Sequence, residues 1–175
     1  METAIVTVLC VALMIVGGMT MSRGFISSAE TASSGLMDVQ SRNEQILRTD
    51  LSAVSAQVTD DESVEVVLRN SGQTKLCNYE KWDFIIQYYD QTGQYHIKWL
   101  PFASSSPGYN QWTIAGLYIS KSSEIVESFE PGILNPGEEI VLRGVVDPAV
   151  GSGTAVQVIV STPNGIPASL IFVRP

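Results

Sequence analysis

The sequence predicts an α+β chain: a long N-terminal α-helix followed by an antiparallel β-sandwich of seven to eight strands. Three observations carry this expectation. Residues 3–22 hold no charged side chain, and residues 25–58 hold no proline while placing apolar side chains at helical spacing. From residue 63 onward, short runs rich in β-branched and aromatic residues alternate with clusters of Gly, Pro, Asn and Asp.

The first 20 of these residues, as a helix, span roughly 30 Å, about the hydrocarbon thickness of a bilayer. Apolar side chains occupy every face of residues 4–21 (AIVTVLCVALMIVGGMTM), so lipid or further helices must surround this stretch on all sides. Its large apolar side chains each gain roughly 1.5 to 3 kcal/mol on leaving water, on the order of 15 to 30 kcal/mol together before ordering costs. A removable secretory signal would place basic residues ahead of the run, whereas here Glu2 precedes it and Arg23 follows. A plain single-pass anchor is the other alternative.

Beyond Gly24 the chain recovers an apolar stripe at Val39, Ile46 or Leu47, Leu51, Val54 and Val58, the spacing of one helix face. The expectation is a helix over residues 1–58, apolar all round at 4–21 and amphipathic at 36–58, roughly 85 Å long. Its last turns would rest on the globular part through Ile46, Leu47, Leu51, Val54 and Val58, and Gly17, Gly18, Gly24 and Gly35 mark where it could bend. Asp60-Asp61-Glu62 reads as a hydrated hinge.

Strands are expected at 63–69, 82–89, 95–100, 112–119, 125–129, 139–146, 155–161 and 169–173, each bounded by turn residues such as Asn135-Pro136-Gly137 and Pro163-Asn164-Gly165. This number of strands within 63–175 indicates an immunoglobulin-like sandwich. Val64, Val66 and Leu68 alternate with Glu65 and Arg69, and Trp82, Phe84 and Ile86 alternate with Asp83 and Gln87, which assigns the first of each set to the core. Trp82, Trp99 and Trp112 read as core or sheet-edge packing, and the serine-rich stretch 101–111 as an exposed loop.

Chemistry is sparse. His96 is the only histidine, and in YHIKWL it shares a face with Lys98 that reads as solvated. There is no CxxC, no phosphate-binding glycine loop, and no calcium-loop spacing around the acidic triplet. The carboxylates Glu127, Glu130, Glu138 and Glu139 lie at turn positions. Cys10 and Cys77 fall in different parts of the chain and are not expected to pair. A net charge of −8 argues against nucleic-acid binding. No catalytic residue, cofactor, metal or small-molecule substrate is therefore expected.

The apolar run 4–21, its amphipathic continuation and the closing hairpin VQVIVSTPNGIPASLIFV together resemble archaellins and archaeal type IV pilins. Ile5 stands where bacterial pilins carry a characteristic glutamate, which favours the archaellin side, and no Asn-x-Ser/Thr sequon occurs. The resemblance implies a homopolymer: transient membrane insertion, assembly machinery, and then an extracellular cell-surface filament whose core packs the apolar helices. Ile5, Val8, Leu9, Ala12, Leu13, Val16 and Met19 are the expected helix-core interface. Swimming is the implied role. The alternatives are an adhesive pilus subunit, or a membrane-anchored accessory protein with an extracytoplasmic sandwich.

Overall fold

A computed structural model describes residues 2–175. Two compact units make up the chain, residues 1–44 and 45–175. Helix α1 runs without interruption over Glu2–Arg48, so none of the four glycines breaks it. Several of its hydroxyls bond within the helix: Thr20 Oγ1 donates to Gly17 O at 2.9 Å and Thr31 Oγ1 to Ser27 O at 2.9 Å. These polar side chains need no partner beyond their own helix.

The second unit contains nine strands: β1 (Leu51–Asp60), β2 (Ser63–Asn70), β3 (Asp83–Tyr89), β4 (Tyr95–Leu100), β5 (Gln111–Ser120), β6 (Ile125–Val126), β7 (Glu139–Val145), β8 (Ala155–Ser161) and β9 (Pro167–Val173). They form two antiparallel sheets, β1-β2-β7-β5-β6 and β4-β3-β8-β9. The core between the sheets draws Val64, Val66 and Leu68 from β2, Phe84, Ile86 and Tyr88 from β3, and Ile140 and Leu142 from β7. Trp112 stacks on Phe84 with ring centroids 5.8 Å apart and meets Phe102 edge-on at 4.9 Å. The alternation in β2 and β3 therefore places the core as expected.

Two expectations are corrected. The helix does not reach Val58: it ends at Arg48, and residues 51–60 form β1, paired with β2 from Leu51↔Asn70 to Asp60↔Ser63. The helical spacing of Leu51, Val54 and Val58 arises from a bulge. The register shifts between Ala53 and Ser55, leaving Val54 as the extra residue, so Leu51, Ala53, Ala56 and Val58 stay on the inward face while Val54 is turned out. Asp60-Asp61-Glu62 consequently lies at the tight turn of the β1–β2 hairpin and is not a hinge between helix and sandwich. Asp61 there pairs with Arg174.

The second correction concerns β4. The register Tyr88↔His96, Ile86↔Lys98 and Phe84↔Leu100 aligns His96 and Lys98 with the core-facing row of β3. Polar side chains take the inward face, and Tyr95, Ile97 and Trp99 are exposed. His96 Nε2 lies 2.9 Å from Asp90 Oδ2 and its ring stacks on Tyr88, while Lys98 Nζ donates to Asn110 Oδ1 at 2.8 Å. His96 is thus half-buried and partnered, not solvated.

Candidate assembly interface

Three surfaces are candidates for function: the apolar side of α1, the junction where α1 becomes β1, and the outer face of the sandwich. Along α1 the expected interface residues Ile5, Val8, Leu9, Ala12, Leu13, Val16 and Met19 are all exposed. An unbroken helix advances about 100° per residue, so these positions, together with Val6, Val11, Met14 and Ile15, clothe its full circumference. By length and composition the helix can cross a membrane. Gly17 and Gly18 border open space on their Cβ side, giving a thin stretch against which another helix backbone can approach closely.

The junction lies within the second unit and is a hydrogen-bonded clamp. The last carbonyls of a helix lack intrahelical donors, and here they are supplied from close by. Thr49 N donates to Ile46 O at 3.1 Å, Thr49 Oγ1 to Gln45 O at 2.7 Å, and Gln73 N to Arg48 O at 2.7 Å. Ser71 N and Gly72 N both donate to Asp50 O, and Asn164 Nδ2 donates to Thr49 Oγ1 at 2.9 Å. Asn70 is fully buried and its amide donates to Thr74 O and Leu134 O, which fixes the loop that carries Gly72. Of the five residues expected to pack the helix onto the sandwich, Leu51 is buried, Ile46 and Val58 are half-buried, and Leu47 and Val54 are exposed. Sequence reasoning missed Asn70, Gly72 and Thr49, because their role depends on contacts between segments far apart in the chain.

Elsewhere the polar groups serve turns. Asp90 Oδ1 accepts from Thr92 N, Thr92 Oγ1 and Gln94 N, and these bonds, with that to His96, hold its carboxyl well below the usual carboxylate range. Glu127 Oε1 accepts from the backbone of Phe129 and Glu130, which lowers its pKa, whereas burial raises that of Glu138. The Tyr88 hydroxyl is pushed up to about 12 by burial and by the nearby Asp147 and Asp90 carboxylates. Among the described residues no group of three or more His, Cys, Asp or Glu side chains is placed to hold a metal ion. Cys10 and Cys77 are both free thiols.

A continuous apolar helix joined to a two-sheet antiparallel sandwich is an archaellin-like fold. The chain is similar to the archaeal flagellum of Methanospirillum hungatei, with a TM-score of 0.56 and 10% identity over 99% of this chain and 92% of that one. It is also similar to the archaellum periplasmic stator protein FlaG from Sulfolobus acidocaldarius, with a TM-score of 0.50 and 20% identity over 71% of this chain and 99% of that one. A third likeness is to archaeal flagellin FlaB1 from Methanocaldococcus jannaschii, with a TM-score of 0.49 and 14% identity over 73% and 90% of the two chains. No protein-family model and no curated protein matches by sequence.

Proposed function

We propose that this chain is a non-enzymatic structural subunit of an extracellular, cell-surface filament of the archaellum type. It polymerises with copies of itself through α1 and supports swimming motility. The observation that carries the reading is the stretch of α1 over residues 5–21, apolar on every side and exposed in the single chain. That surface requires a covering on all sides, and a bundle of identical helices supplies one after the bilayer has held each chain and assembly machinery has withdrawn it. Ile5, Val8, Leu9, Ala12, Leu13, Val16 and Met19 form the proposed helix-core interface. The likeness to the Methanospirillum hungatei flagellum supports the reading because it spans the helix as well as the sandwich.

A second reading is a single-pass, membrane-anchored accessory protein of the archaellum. The likeness to the stator protein FlaG, which covers 71% of the chain, favours it. Replacement of Leu13 separates the two. In a dry helix bundle Leu13→Lys leaves a charge without a partner, and the variant yields no filaments while tryptophan emission reports a folded sandwich. Filaments at normal yield from Leu13→Lys would overturn the helix-core reading.

A further inference from the structure

Asn164-Gly165 is the only Asn-Gly pair in the chain, and this dipeptide carries a chemistry of its own. The backbone nitrogen that follows an asparagine is a nucleophile toward the side-chain amide carbon, and glycine, with no Cβ, hinders its approach least. A bond forms from Gly165 N to Asn164 Cγ and the bond from Cγ to Nδ2 breaks. The proton lost by Gly165 N departs, by way of solvent, with Nδ2 as ammonia. Water then opens the resulting succinimide at either carbonyl, which yields aspartate or an isoaspartate whose backbone runs through Cβ. Water is the only reagent consumed.

The fold puts this pair in the tight turn between β8 and β9. Thr162 N donates to Ile166 O at 3.0 Å and Gly165 N to Thr162 O at 2.8 Å, and Gly165 closes the turn at a φ of 83°. Gly165 is exposed and faces open space where a Cβ would stand, so solvent reaches the reacting atoms. The reacting groups are nevertheless restrained. Thr162 O engages the N–H that must attack, and Thr162 Oγ1 donates to Asn164 Oδ1. Asn164 Nδ2 donates to Thr49 Oγ1 at 2.9 Å, and Thr49 is the buried residue at which α1 gives way to β1. Attack requires the Asn164 side chain to swing onto its own C-terminal neighbour and Gly165 N to leave Thr162 O. These bonds must therefore open first.

We infer that Asn164 is a site of spontaneous deamidation, that the junction holds the reaction back, and that the product loosens the junction in turn. Thr49 has one hydroxyl hydrogen, and it is spent on Gln45 O at 2.7 Å. An oxygen in place of Nδ2 sets two acceptors against each other unless Thr49 abandons Gln45 O. The new negative charge also lies beside the last carbonyls of α1, the negative end of the helix dipole. Isoaspartate adds a backbone atom to the turn that the Thr162–Gly165 and Thr162–Ile166 bonds close. None of this depends on the filament reading, since every group involved belongs to the second unit.

The test follows residue 164 by peptide mass spectrometry in the full-length chain, incubated at mildly alkaline pH either folded in mild detergent or unfolded in urea. Conversion in the folded chain is expected at about one-tenth of the urea rate or less, because several bonds, each shifting an equilibrium by roughly two- to tenfold, must open together. Thr49→Val keeps the shape of the side chain and removes the acceptor of Nδ2, so it should raise the folded rate roughly two- to tenfold. Asn164→Asp installs the product directly and should lower the urea midpoint read from tryptophan emission. Equal rates in the folded and unfolded chain would overturn the restraint, as would a folded Thr49→Val that reacts no faster than wild type. Absence of conversion in both states would remove the site itself. An Asn164→Asp midpoint equal to that of the wild type would overturn the loosening. The wild-type rates and the Asn164→Asp midpoint decide the matter even where Thr49→Val does not fold.

Discussion

Adding a single methyl group at Gly72 probes how firmly the 45–50 junction is held within the second unit. A Cβ there would lie 2.4 Å from Asp50 N and 2.6 Å from Arg48 O, both backbone atoms at the end of the helix that no side-chain rotation can move aside. The 70–73 loop must retreat, which lengthens the bonds from Gly72 N to Asp50 O at 3.1 Å and from Gln73 N to Arg48 O at 2.7 Å. Overpacking of this kind costs about 1 to 3 kcal/mol, and each weakened backbone bond adds up to about 1 kcal/mol. The stiffer unfolded chain of the alanine variant returns about 0.4 to 1 kcal/mol. Gly72→Ala is therefore expected to destabilise the second unit by about 3 kcal/mol, a large part of the roughly 5 to 15 kcal/mol that holds a typical domain together. Urea denaturation of the full chain in mild detergent, followed by emission from the buried Trp82 and Trp112, measures it. An unchanged slope with a lower midpoint is the expected result. A change below about 0.5 kcal/mol would refute the clamp.

Three further outcomes are expected. Leu51→Ala should cost about 2 to 5 kcal/mol in the same assay and Val54→Ala under about 0.5 kcal/mol, because Leu51 is buried while Val54 is the outward residue of a bulge; comparable losses would restore the helical reading of β1. Asn70→Ala removes a fully buried amide that donates to Thr74 O and Leu134 O, and should cost about 2 to 3 kcal/mol; a neutral result would show the loop to be held by other contacts. Acid should weaken the sandwich through Asp90. Its folded pKa lies below the unfolded value near roughly 4, so its contribution is complete above that pH and is lost as pH falls. Asp90→Asn should flatten the acid limb of a stability–pH curve between roughly pH 5 and 2, and an unaltered limb would contradict the assignment.

The sequence made some of this structure legible because local patterns and tertiary contacts agree. Twenty uncharged residues dictate an apolar helix, and in SVEVVLR the strict alternation of Val64, Val66 and Leu68 with Glu65 and Arg69 coincides with the face that the sheet buries. Two segments misled for specific reasons. In residues 51–58 the bulge at Val54 inserts one residue into a period of two and produces a spacing that mimics a helix, and pairing with β2 decides the outcome. In YHIKWL the alternation was plain but its sense was inverted, since Asp90 in the turn before β4 and Asn110 just before β5 hold His96 and Lys98 inward. Local hydropathy carries no record of such partners. The exposure of the α1 residues proposed as a helix interface could be read from the sequence, because exposure on a helix without a polar stripe needs no tertiary knowledge. The clamp of Thr49, Asn70 and Gly72 could not, because Asn70 and Gly72 bond backbone groups of other segments and Thr49 accepts from the distant Asn164 side chain.

The most direct test of the filament reading is electron microscopy of appendages sheared from cells that produce the chain, with mass spectrometry to identify the subunit. Uniform helical filaments composed of this protein, with density for α1 packed against α1 of neighbouring copies in the core, are the predicted result. Recovery of the chain only with the membrane fraction, and of filaments that do not contain it, would contradict the account.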